Sequence, residues 1–141
     1  MAFKRLTGKT KVMYFPKKAS TAFTSGALVY FDGAGAVQPA DATSGMHVGV
    51  IRKTIASADS DYADTTLVPV EVPVERWVEW EVDATSAVAA DVGDEIDLTD
   101  SVTADRSASS KDALLVTRFI SATKLGVTIL SNADIKDTAT T

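Results

Sequence analysis

The chain has 141 residues, a net charge of −5, 45% hydrophobic and 23% charged residues, and no cysteine. This is an ordinary globular composition, and the length suits one domain that buries about 70% of its unfolded surface. It excludes disulfides, a thiolate nucleophile and Cys-ligated zinc, and no apolar run approaches the roughly 18 residues of a membrane-spanning helix.

The first segment, MAFKRLTGKTK, is too polar for the apolar region of a signal peptide, so synthesis and folding in a cytoplasm are expected. Lys4, Arg5, Lys9, Lys11, Lys17 and Lys18 give residues 1–31 a charge of +6 with no acid, while the remainder holds −11. A basic head on an acidic body suggests an N-terminal arm, residues 1–11, that meets a negative surface. Its bases are dispersed among Phe3, Leu6, Val12, Met13, Tyr14 and Phe15, which does not make a nucleic-acid-binding tract.

From there the chain reads as short strands separated by turns. KVMYF is a first strand stopped by Pro16. GALVYFDGAGAVQPAD is a hairpin, with DGAG supplying residues tolerant of positive φ. MHVGVIRKTIA is a third run, in which Gly49 marks a bulge or a close backbone approach. SADSDYADTT is a polar loop. TSAVAADVG holds at most one helical turn, EIDLT is a short strand, and VTADRSASSKD is another polar loop. ALLVTRFI and KLGVTIL form a closing hairpin, and residues 132–141 are a polar tail. This pattern predicts an all-β fold, a small β-barrel or sandwich, over residues 12–131.

Residues 68–84, VPVEVPVERWVEWEVDA, place Val68, Val70, Val72, Val74, Val78, Trp80 and Val82 on one side. Pro69, Glu71, Pro73, Glu75, Trp77, Glu79, Glu81 and Asp83 alternate with them. One strand of this length would run close to 50 Å at about 3.3 Å per residue, and Arg76 would fall on the valine side. Two strands, 67–74 and 77–83, meeting at Glu75–Arg76 remove both problems. Pro69 and Pro73 delete donors from one edge of the first, which suits a sheet edge. Trp80 belongs to the core. Trp77, beside the carboxylates, either folds over the barrel rim or anchors a contact.

The carboxylates suggest three chemistries. Calcium needs six to eight oxygens, usually from a curved loop, and a straight row of Glu79, Glu81 and Asp83 supplies too few. Paired acids near tryptophan resemble a glycosidase groove, but nothing else in the chain builds one. A solvated or interface-facing acidic strip fits best. Asp59, Asp61 and Asp64 share a loop without the glycine and terminal glutamate of an EF-hand. His47, the single histidine, lies in a strand and reads as structural, and there is no nucleophile elbow or phosphate-binding glycine motif. The chain is expected to be no enzyme and to need no cofactor or metal.

The run KKASTAFTSGALVYFDGAGAVQPADATSGMHVGVIRKTIASADSDYAD, followed by LVPVEVP and later VGDEIDLT, resembles the head decoration, or capsid cement, proteins of tailed bacteriophages. The resemblance spans about residues 10–131. It implies a β-barrel or β-tulip-like domain with an extended N-terminal arm, on the outside of the virion capsid. There it would bridge neighbouring major capsid subunits, often as a homotrimer, with no nucleic acid, membrane or small-molecule substrate as partner. The arm with Lys4, Arg5, Lys9 and Lys11 would dock on the capsid; the acidic strip itself, Trp77 beside Glu79, Glu81 and Asp83, is expected to face a neighbouring subunit's basic arm. A tail or baseplate barrel and a free-standing ligand-binding barrel are the alternatives.

Overall fold

The computed structural model describes residues 3–45, 47–109 and 111–130; the expected polar tail, 132–141, lies outside them. The strands are β1 (Lys4–Thr7), β2 (Thr10–Pro16), β3 (Leu28–Phe31), β4 (Val37–Pro39), β5 (His47–Ile51) and β6 (Leu67–Pro73). They continue as β7 (Glu79–Asp83), β8 (Glu95–Asp100), β9 (Thr103–Asp105), β10 (Leu114–Ser121) and β11 (Lys124–Ile129). The helical candidate is a single 3-10 turn, Ala89–Asp91.

Six strands lie in the order β1-β7-β11-β10-β8-β9. Thr103 of β9 meets Asp83 of β7 in a parallel contact, so β7 to β11 close into a five-stranded barrel, with β1 along the same edge of β7. A second sheet runs β2-β6-β5-β3-β4. The expectation of a small all-β barrel therefore holds.

Period-two alternation explains both cores. Trp80 and Val82 of β7 point inward with Ile96, Leu98, Leu114, Val116, Leu125 and Val127. Leu28 and Val50 of the second sheet join this cluster, while Val29 and Ile51, one residue on, join a second core with Phe23, Ile55, Val68 and Val70. The centre of the five-stranded sheet is thus buried on both faces, which is why every residue of β5 is buried.

The break expected within 67–83 is present. β6 and β7 are separated by a turn over Val74–Trp77, Arg76 is exposed, and the two strands belong to different sheets. The edge placement of β6 is corrected. It pairs with β2 along its whole length and with β5 at Val50↔Glu71 and Ile51↔Val70. The Arg52 N–H donates to the Pro69 carbonyl (2.9 Å), which shows that the proline side faces β5. The missing donors shorten that ladder to two pairs, so proline is tolerated inside the sheet. Gly49 behaves as expected: the β3–β5 register slips beside it, and a Cβ there would collide with the Glu71 carbonyl oxygen.

The expected N-terminal arm is, from Phe3 onward, woven into both sheets. Phe3 is buried in the barrel core, and its N–H donates to the Gly26 carbonyl (2.8 Å). Gly8 turns the chain from β1 to β2 at φ +99°, with room for no side chain because a Cβ would stand 2.8 Å from the Val78 Cα.

Candidate partner-binding surface

The basic residues of the N-terminal segment divide into committed and free. Arg5 Nε donates to Glu71 Oε2 (3.0 Å) and its Nη1 to the Gly8 carbonyl (3.0 Å). Thr10 Oγ1 donates to the same Glu71 oxygen (2.6 Å), and Arg52 donates to the other. Burial pushes the Glu71 carboxyl up. The Thr10 and Arg52 hydrogen bonds, the Arg52 charge and the Arg5 hydrogen bond outweigh this and hold it below its ordinary value. This cluster joins β1 of the barrel to the five-stranded sheet. Lys17, in the basic head, is fully buried; its Nζ donates to the carbonyls of Tyr62 (2.7 Å) and Lys18 (3.1 Å).

Lys4, Lys9 and Lys11 are exposed and make no ion pair among the described residues. Lys4 stands opposite Glu81 across β1 and β7. Lys9 and Lys11 stand at the start of β2.

The acidic row of β7 has partners within the chain. Glu79 is 8% exposed, accepts from Thr117 Oγ1 (2.6 Å) and pairs with Arg118 (2.8 Å). Asp83 pairs with Lys124 (2.5 Å), and Glu81 is half-buried. The barrel neutralises Glu79 and Asp83 itself, leaving Glu79 little to offer a neighbour. Thr117, Arg118 and Lys124 come from strands more than 30 residues away, and nothing local announces the pairing.

Trp77 is 64% exposed on the β6–β7 turn, with Val74 beside it in sequence at 43%. It is not folded over the rim. The Val74 N–H donates to the Lys9 carbonyl (3.0 Å), which sets this turn beside the start of β2. At the other end of β2, Pro16 faces Leu67. Between them Val12, Tyr14 and Leu67 are 53%, 63% and 59% exposed. Val12 and Tyr14 oppose Glu71 and Pro69, so they share the sheet face that carries Glu71. The result is an apolar surface along β2 with lysines at one end and Trp77 near them. The sequence reading missed it. Four consecutive apolar residues, Val12 to Phe15, suit burial on both faces, and only the absence of a polar alternation hinted at a special role.

The other candidates are structural. The Asp61 carboxylate is held by Lys53 (2.9 Å), which lowers its pKa, and Asp59 accepts from the Ala56 N–H (2.8 Å). His47 is buried, with Nε2 2.8 Å from Ser44 Oγ. Asp91 is clamped by Arg106 through two bonds (2.7 and 2.9 Å). A depression of about 230 Å³ beside Arg106 is lined by Asp94, Glu95 and Ser107, with no convergent nucleophile and base. Among the described residues, no three histidine or carboxylate side chains group to hold a metal ion, and no helix is long and apolar enough to cross a membrane.

No curated protein matches the chain. The family model described as phage cement protein matches residues 5–70, which comprise β1 to β5 and β6 as far as Val70. The VGDEIDLT stretch of the resemblance lies outside that match. The matched region holds most of the five-stranded sheet and the exposed β2 surface, and over these residues the chain is similar to phage cement proteins.

Proposed function

We propose that the chain binds the exterior of the phage capsid and stabilises it by bridging neighbouring major capsid subunits, as a homotrimer. The observation that carries this is the unequal finish of the two sheets. The barrel's charged strip is paired internally, whereas the family-matched sheet leaves Val12, Tyr14 and Leu67 open beside Lys9, Lys11 and Trp77. A cement needs a rigid body and such surfaces rather than a pocket. Modest contacts repeated around a ring add by avidity, and lysines at the contact make association salt-sensitive.

The test adds purified chain to shells of the major capsid protein that lack it. The expected result is saturable binding, weaker at high salt, and greater resistance of the shells to heat. Absence of binding together with unchanged shell stability overturns the reading. Electron microscopy of the decorated shell locates the chain and counts its copies; a position on tail or baseplate, or a single copy per site, would sink the bridging trimer.

A further inference from the structure

A second exposed apolar surface lies at the end of the barrel away from Trp77. β11 runs from Lys124, which stands opposite Asp83, to Thr128, whose Oγ1 donates to the Arg76 carbonyl (3.1 Å). The β6–β7 turn is therefore at one end of β11 and the β10–β11 hairpin tip at the other, about 14 Å away at roughly 3.4 Å per residue. Segment 87–94 is strapped along β10 near that tip. The Ala87 N–H donates to the Ala122 carbonyl (2.8 Å), the Gly93 N–H to the Val116 carbonyl (2.8 Å), and the Val116 N–H to the Asp94 carbonyl (2.9 Å). Between these anchors Val88 and Val92 are exposed on the strap, and Phe119 and Ile120 are exposed on the strand beside it.

The fold does not need these four side chains. Ala84 and Ala87 enter the barrel core, so the strap is held without Val88 or Val92. The charges on the two flanks differ in sign. On the strap side Asp94 and Glu95 are exposed and make no ion pair among the described residues. On the hairpin side stand Arg118 and Lys124, paired with Glu79 and Asp83 yet each more than a third exposed. A surface with acid on one flank, base on the other and apolar side chains between them complements a rotated copy of itself. Cyclic symmetry sets the strap of one copy against the hairpin of the next.

We propose that copies of this chain meet at this end of the barrel. Val88 and Val92 on the strap of one copy pack on Phe119 and Ile120 of the next, and Asp94 and Glu95 face Arg118 and Lys124. This rests on the homotrimer reading above and names its contact, leaving the β2 surface to the capsid.

The chain has no cysteine, so an introduced one reports on its own surroundings. Full-length Val92→Cys and Ile120→Cys chains, mixed and treated with a short bismaleimide, are expected to form covalent dimers joined through positions 92 and 120. Mass spectrometry reads the link, in solution and on capsid shells that lack the protein. Val12→Cys in place of either partner should give at least 10-fold fewer dimers in solution. Val88→Asp/Ile120→Asp alters exposed positions only, so it should keep the unfolding transition while self-association weakens at least 10-fold in sedimentation. If that variant does not fold, the cysteine comparison decides the matter. Chains that bind shells with no 92-to-120 link, free or bound, overturn this contact and leave capsid binding intact. Linking through position 12 instead assigns the self-contact to the β2 surface and also overturns it. A 92-to-120 link in solution without any binding to shells keeps the contact and overturns the capsid reading. Neither link nor shell binding overturns both.

Discussion

The barrel closes on itself: β9 returns to β7, and the outward carboxylates Glu79 and Asp83 are matched by Arg118 and Lys124. The five-stranded sheet meets its own far strand only at the end of β2, where the Lys18 N–H donates to the Val37 carbonyl, and it leaves Val12 and Tyr14 in solvent. One region pairs its outward charges within the chain, and the other leaves apolar side chains in solvent. The two are locked together by Leu28 and Val50, which enter the barrel core, and by Glu71, which joins Arg5 to Arg52. Under the proposed capsid-binding function, such a division would suit a protein that must stay rigid while clamped to a shell.

Substitutions can break or sharpen this contrast. Trp80→Ala empties the centre of the barrel and should cost about 3–5 kcal/mol. Because Leu28 and Val50 of the second sheet pack into the barrel core, denaturant unfolding should remain a single transition at a lower midpoint. Two separated transitions would mean that the sheets are independent.

Gly49→Ala sets a methyl group against the Glu71 carbonyl between β5 and β6. The expected loss is about 1–3 kcal/mol, measured as a shift in the denaturation midpoint. A neutral result would show that the shortened β5–β6 ladder yields easily.

Glu71→Gln tests the junction. Arg5 and Arg52 are each more than a third exposed, so solvent limits the loss to about 1 kcal/mol at neutral pH. The Glu71 pKa is lowered in the fold, so the unfolded chain binds its proton more readily and the carboxylate's contribution rises with pH. It is fully present above the ordinary value of 4.5 and is lost as pH falls through the folded value. The stability gap between wild type and Glu71→Gln should therefore narrow in acid. A gap that stays constant from neutral to acid pH would remove the ionic account.

Trp77→Ala should change the stability of the isolated chain by less than about 0.5 kcal/mol, because the ring lies in solvent. If Trp77 anchors the partner, shell binding weakens while the unfolding curve does not move. A comparable loss in the unfolding curve would return Trp77 to the fold.

Much of this architecture was legible in the residues. Alternation placed Val68, Val70, Trp80 and Val82 inside, and the length of the 67–83 run with Arg76 on its apolar side forced a break where the turn lies. Gly49 announced a close approach, and Pro69 and Pro73 announced an edge without donors. They could not say which edge, and β5 sits there with a short ladder instead of solvent. The N-terminal bases suggested a free arm because nothing near them is acidic; the acid that holds Arg5 is 66 residues away. KVMYF was legible as a strand stopped by Pro16, but the exposure of Val12, Met13 and Tyr14 was not.

By itself the sequence determined the strands, the turns and the inward set of each strand, because steric preference and period-two alternation act within a few residues. It also carried the cement-protein resemblance. Only the tertiary structure decided which edges meet, that Glu79 and Asp83 are neutralised within the barrel, and that Val12 and Tyr14 of β2 stay exposed. Those outcomes depend on contacts between residues tens of positions apart, which local pattern does not encode.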